Sequence, residues 1–111
     1  MTSSTGPLAA ETIDRLRQVT TATVASRLFK RGFKKVLVMP GDVLVGDGDG
    51  VVCIPRHVAD TVAADALEQD RLEAFVLDRI KHGAPLPGTY PPSEAIRAEY
   101  EASRRTHSPG R

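Results

Sequence analysis

Four groups of side chains in this sequence have the types needed for chemistry, and their spacing sets what each can do. Asp42, Asp47 and Asp49 form an acidic trio between short apolar runs. Oxygen-rich loops of this kind suit Mg²⁺ or Ca²⁺. The run Asp47-Gly48-Asp49-Gly50 has the look of a calcium loop, but counted from Asp47 no acidic residue closes it at the twelfth position. Turn chemistry accounts for the trio without a metal, because aspartate caps its own backbone at a turn. His57, His82 and His107 are far apart and show no metal-ligand spacing, so they read as surface histidines. Cys53 is the only cysteine, which excludes an intramolecular disulfide and a cysteine-based zinc cluster. It lies in an apolar run and reads as a small buried hydrophobe in preference to a nucleophile. Glu68, Asp70 and Glu73 follow, with positions 70 and 73 sharing a helical face. They are either a solvated charged face or a carboxylate offered to a neighbouring subunit's site. A basic cluster, Lys30, Arg31, Lys34 and Lys35, is either a solvated helix end favoured by the helix dipole or a site for an anionic substrate.

The elements that must position these groups centre on residues 35–55. That stretch reads as three short apolar strands punctuated by the turns Pro40-Gly41-Asp42 and Asp47-Gly48-Asp49-Gly50. Val43-Leu44-Val45 and Val51-Val52-Cys53-Ile54 are β-branched-rich and bounded by turn residues, the pattern of a hairpin. Residues 1–8 are expected to be a flexible arm. The apolar spacing of Ile13, Leu16 and Val19 predicts a first helix from about Ala9 to Val19. A second, from about Ala22 to Lys30, would be capped by Thr20 or Thr21, stopped by Gly32, and buried through Val24 and Leu28, with Ala25 and Phe29 also inward. His57 to His82 has no Gly or Pro and ends at Gly83, with Val58, Val62, Ala66, Leu72, Phe75, Val76 and Ile80 as its apolar stripe. Such a helix would span about 40 Å, which favours packing against another subunit. Residues 83–92 hold four of the eight prolines and are expected to be an extended connection. Ser93 would cap a final helix, Glu94 to about Arg104, in which Ile96 and Tyr100 pair, before a disordered tail at 105–111.

The expected organisation is therefore an α/β domain over 9–104. It comprises N-terminal helices (9–33), a β-hairpin unit (34–55), a long helix (56–83), and a Pro-rich connection with a short C-terminal helix (84–104). Val24, Leu28, Val43, Val45, Val52, Ile54, Val62 and Phe75 are the expected core and interface residues. Composition narrows the function classes. Fifteen Lys+Arg against fourteen Asp+Glu give a net charge of +1, without the basic excess of a dedicated nucleic-acid binder. Five aromatic residues and no Trp provide no stacking platform for single strands. The opening MTSSTGPLAAET lacks a basic start followed by an apolar run, and no run approaches a membrane span, so a cytoplasmic chain is expected.

The segment from Val38 to Arg56, VMPGDVLVGDGDGVVCIPR, resembles the C-terminal signature of the RraA-like family. That family includes 4-hydroxy-4-methyl-2-oxoglutarate aldolases, which are also oxaloacetate decarboxylases, and the regulator of ribonuclease activity. The helix ending Ile80-Lys81-His82-Gly83-Ala84, the run Leu86 to Pro92, and the opening Leu16 to Phe33 are similar to the family's flanking parts, so the resemblance covers about Ile13 to Arg104. It implies a truncated version of the swivelling β/β/α fold, with two N-terminal helices, a small three-stranded sheet with a hairpin, a long helix and a short C-terminal helix. It also implies a lyase dependent on a divalent metal, Mg or Mn, that releases pyruvate.

Family members carry a central glycine-rich core with a Gly-Gly turn, a Gly-Asp pair and an Arg-Asp pair. There the Arg would bind the keto-acid carboxylate and the adjacent Asp would hold the metal as a Lewis acid. This chain has no Gly-Gly and no Arg-Asp dipeptide; Phe33-Lys34-Lys35 runs directly toward Pro40-Gly41-Asp42. The resemblance leaves Glu73, or Glu68, as the carboxylate that could approach a neighbouring subunit's site; it assigns no substrate-binding or metal-binding residue, and no bound metal is expected. Loss of the central layer would expose apolar faces and favour association. Three readings follow: a metal-dependent lyase, a non-enzymatic interaction or regulatory module that forms a homo-oligomer or binds a protein partner, and a truncated gene product.

Overall fold

The computed structural model of the chain describes residues 6–33 and 37–106. Most of the expected arm, Lys34 and Lys35 of the basic cluster, and His107 with the end of the tail lie outside the described residues. The chain is mixed α/β. Its elements in order are α1 (Ala10–Arg17), α2 (Thr21–Lys30), β1 (Val43–Asp47), β2 (Gly50–Ile54), a 3-10 turn (Arg56–Val58), α3 (Ala59–Lys81) and α4 (Glu94–Thr106). It forms two compact units, one ending at Asp70 and the other beginning at Arg71, so α3 contributes to both.

In the first unit, β1 and β2 pair antiparallel with Val43 opposite Ile54, Val45 opposite Val52 and Asp47 opposite Gly50. Side chains alternate across a strand, so Val43, Val45, Val52 and Ile54 share one face while Leu44, Val51 and Cys53 share the other. The first face is the inner one. Ile54, Val24 and Val62 are fully buried, and Leu16, Leu28, Ala59, Ala63 and Ala66 complete the cluster against which Val43, Val45 and Val52 pack. Burying a side chain such as Ile54 contributes about 2–3 kcal/mol relative to exposure. Ala59, Ala63 and Ala66 give α3 a small-residue stripe within this cluster. Phe29, expected inward, is 61% exposed, and Ala25 is exposed as well. The buried stripe of α2 is narrow, set by Val24 and Leu28 with Thr21 and Thr23.

The sheet has two strands among the described residues, not the expected three. Leu37, Val38 and Met39 carry no ladder pairing and are largely exposed. An apolar run alone does not make a strand where the folded chain brings no partner edge to it. The long helix is also shorter at its start than expected, because Pro55 opens a 3-10 turn before α3 begins at Ala59.

In the second unit, Tyr100 of α4 is buried and its ring lies 5.5 Å from that of Phe75. Phe75 thus packs within this unit. Arg79 sits over the Phe75 ring and pairs with Glu99 at 3.0 Å. Between the helices, Pro87 (φ −61, ψ 129) and Gly88 (φ 86, ψ −21) have the dihedrals of a type II turn within Leu86–Thr89. Ser93 Oγ accepts from the Ile96 N–H at the start of α4. That helix continues to Thr106, two residues into the expected tail.

Both glycine stops behave as expected. Gly32 (φ +90) donates to Phe29 O while Phe33 donates to Leu28 O, and Gly83 (φ +98) donates to Ile80 O while Ala84 donates to Arg79 O. These are Schellman closures, which require a left-handed residue just past the helix. Gly32→Ala is therefore expected to cost about 1 kcal/mol from the left-handed conformation alone, since nothing lies within 4 Å of its added methyl. Thermal unfolding should register a drop of roughly 5 °C. Gly48→Ala, at an equally open position without positive φ, should leave the midpoint nearly unchanged.

Candidate functional site

The signature hairpin holds the candidate carboxylates, and its folded geometry assigns two of them. Asp47 ends β1, where the register brings it to the start of α2. Its Oδ2 accepts from the Thr21 N–H at 2.9 Å, and its Oδ1 accepts from the Thr21 hydroxyl at 2.8 Å and the Asp49 N–H at 2.9 Å. The first N–H groups of a helix have no partner within it, and the helix dipole favours an anion there. Asp47 supplies both requirements from a distant part of the chain. Thr20 caps the same terminus from within, its Oγ1 accepting from the Thr23 N–H at 3.2 Å. The Thr21 main-chain bond, then those from Asp49 and the Thr21 hydroxyl, hold the Asp47 carboxyl below the usual range.

Asp42 does equivalent work at the open end of the hairpin. Met39 donates its N–H to Oδ2 at 2.8 Å, and Arg56 donates its N–H to Oδ1 at 3.2 Å. With the Asp42 N–H donating back to Met39 O and Gly41 at φ +90, residues 39–42 close as a tight turn. The Met39 bond is the main cause of a lowered Asp42 pKa, against an opposing contribution from burial. The Cys53 thiol lies 3.7 Å from Asp42 Oδ2. Burial first, then the Asp42 charge, push that thiol up, so at neutral pH it is protonated and poorly nucleophilic.

Carboxylates of α3 complete the polar framework. Asp60 accepts from the Thr12 hydroxyl and Asp70 from the Thr23 hydroxyl, each at 2.6 Å. Asp65 takes Arg31 and Arg27. Burial alone would raise the Asp65 pKa, but the two guanidinium groups outweigh it and leave it lowered. Arg31 of the expected basic cluster is thus committed to α3. Asp70 docks α2 and belongs to the first unit, whereas Glu73 is exposed on the second unit's part of α3 and Glu68 is half-buried. Asp70 and Glu73 stand three residues apart on the continuous helix α3 and share a face, as expected.

His57 is exposed with its ring 6.0 Å from that of Phe33, and exposed His82 has Nδ1 2.8 Å from Asp78 O. Among the described residues, the divalent ion implied by the family resemblance finds no fitting donor set. Asp42 and Asp47 already accept from the chain's own donors, and no group of three or more His, Cys, Asp or Glu side chains comes together among the described residues. The hairpin's outer face remains. There Leu44 is 62% and Val51 71% exposed, with half-buried Cys53 between the same strands; Leu37, Val38 and Met39 ahead of the hairpin are exposed as well. No described helix is long and apolar enough to cross a membrane.

Sequence reasoning missed Thr12, Thr23, Asp60 and Asp65. The Thr20-Thr21-Ala22-Thr23 run signals a helix start, but partners 26 to 48 positions away leave no local mark. No family model matches the chain, and no solved structure matches it.

The lowered pKa of Asp47 has a definite sign. Its stabilising contribution is present above the ordinary aspartate pKa of about 3.9 and is lost as pH falls through the depressed folded value. Asp47→Ala should therefore unfold at a lower temperature than the native chain at pH 7, with the gap narrowing as pH drops below about 4. Asp49→Ala, which keeps its main-chain donor, should shift the midpoint far less in the same calorimetric series.

Proposed function

We propose that this chain is an RraA-like module that works by binding protein and not by catalysis. The observation that carries this reading is the hairpin, which is apolar on both faces while only the inner one is covered. Strand pairs buried on both faces read as continuous apolar runs, whereas a half-solvated antiparallel pair carries polar residues outward. Leu44, Val51 and Cys53 occupy the positions that solvent would otherwise make polar. An exposed contiguous apolar patch of this kind marks an interaction site.

The occupant that fits the family resemblance is a full-length RraA-type chain, which carries the central layer this sequence lacks. Asp42 and Asp47 of the signature then serve to hold the docking face rigid. Mg or Mn would act in the partner and not in this chain. The lyase reading, with Glu73 contributing to a neighbouring subunit's site, rests on the resemblance alone.

The deciding measurement is pyruvate release from oxaloacetate by the 111-residue protein, with Mg²⁺ and then with EDTA. No rate above that of the free metal is expected. Metal-dependent turnover abolished by chelation would overturn the non-catalytic assignment. In parallel, an immobilised full-length family aldolase should retain this chain and lose it on Leu44→Lys, a substitution that leaves the inner face untouched.

A further inference from the structure

The edge of the hairpin, as distinct from its outer face, carries a separate inference. We infer that the chain forms a symmetric dimer in which β2 pairs antiparallel with β2 of a second copy, centred on Val52, to make a four-stranded sheet. It rests on the preceding reading only in that the hairpin acts by association. The closing pair of a two-residue hairpin is a hydrogen-bonded one, here Asp47 with Gly50, and such pairs alternate along the ladder. Val51 and Cys53 therefore turn their main-chain N–H and C=O away from β1. Among the described residues β2 has no other strand beside it.

Edge strands are ordinarily guarded by Lys, Pro or inward-pointing charge. Residues 43–54 contain no Lys, Arg, Glu or Pro. Pairing about Val52 sets Val51 opposite Cys53 of the second copy twice over, giving two complete hydrogen-bonded pairs. Centring on Val51 or Cys53 instead would give one such pair and run the rest past the strand ends.

Charge chooses this edge and this occupant. In the antiparallel arrangement the tip of one hairpin lies beside the base of the other. For β2 that places exposed Asp49 next to Pro55 and Arg56 of the second copy, opposite charges at both ends. The equivalent pairing through β1 would set Asp42 against the acidic tip of the other copy. Among the described residues the Arg56 guanidinium donates to the Gly6 and Pro7 carbonyls, at 3.4 and 3.5 Å, and the residue is half-buried at the base. A net charge of +1 adds little repulsion between copies.

Sedimentation equilibrium of the full chain should show the 12.0 kDa protein doubling in mass as concentration rises from micromolar toward millimolar. Asp49→Lys should weaken the dimer about tenfold by replacing two attractive pairs with repulsive ones. Adding Arg56→Glu should restore it. Register is tested by Val51→Cys, which sets two thiols opposite each other across the dyad at a spacing of about 5.5 Å between Cα atoms. Treated with diamide as the oxidant, that variant should form a covalent dimer on a non-reducing gel, the introduced thiol being the one activated. The native chain, whose Cys53 residues are two positions out of register, should not. A monomer at every concentration, or a dimer that Val51→Cys cross-links no faster than the native chain, overturns the proposal. A monomer that a full-length family aldolase still retains would overturn this inference and leave the preceding one standing.

Discussion

Two aspartates hold the hairpin at its ends, and the arrangement of the first unit follows from that. Asp47 fastens the tip to the first turn of α2, and Asp42 fastens the base to the turn before β1 and to Arg56, the first residue of the 3-10 turn. A hairpin slipped by one residue would carry Val43, Val45, Val52 and Ile54 to the wrong face. It would also pull Asp47 away from Thr21, so the polar and apolar constraints select the same register. Two strands alone are marginal in water. Here they gain a layer through α2 and the alanine-rich start of α3.

The same contacts decide what chemistry the hairpin can support. A carboxylate serves as a metal ligand or general base when its lone pairs are available. In Asp42 and Asp47 they are directed at main-chain and hydroxyl donors, which also depresses the pKa and weakens each as a base. Cys53 is shifted the other way, toward the inert thiol. The residues that look most chemical in the sequence are thus the ones most committed to architecture.

Much of this was legible from residue types. Thr20, Ser93, Gly32 and Gly83 mark helix ends through chemistry confined to a few neighbouring residues, and the structure places caps and stops at each. Val24, Leu28, Val62 and the inner hairpin residues follow from periodicity. The turn role of Asp42 and Asp47 was readable, but that Asp47 also caps another element was not, because Thr21 lies 26 residues away. Phe29 was misplaced because helical spacing fixes a direction and not the width of the buried stripe. The third strand failed for a related reason: Leu37, Val38 and Met39 have strand-like composition, but pairing is decided by which edge the fold presents. Asp70 and Glu73 share a face of the long helix as their spacing implies, but the bond from Thr23 to Asp70, 47 positions away, left no local mark.

The link between α2 and the hairpin has a consequence for how such a chain tolerates being lengthened or shortened. Asp47 grips the beginning of α2, whereas the polypeptide leaves α2 from its other end, after Lys30. The contact is made by side chain and helix terminus and does not depend on the length of the covalent path between Phe33 and Met39. Closing a longer loop at that joint costs only about 0.6 kcal/mol for each doubling of its length. A change in the length of that path therefore leaves the grip of Asp47 on α2 intact at a small entropic cost.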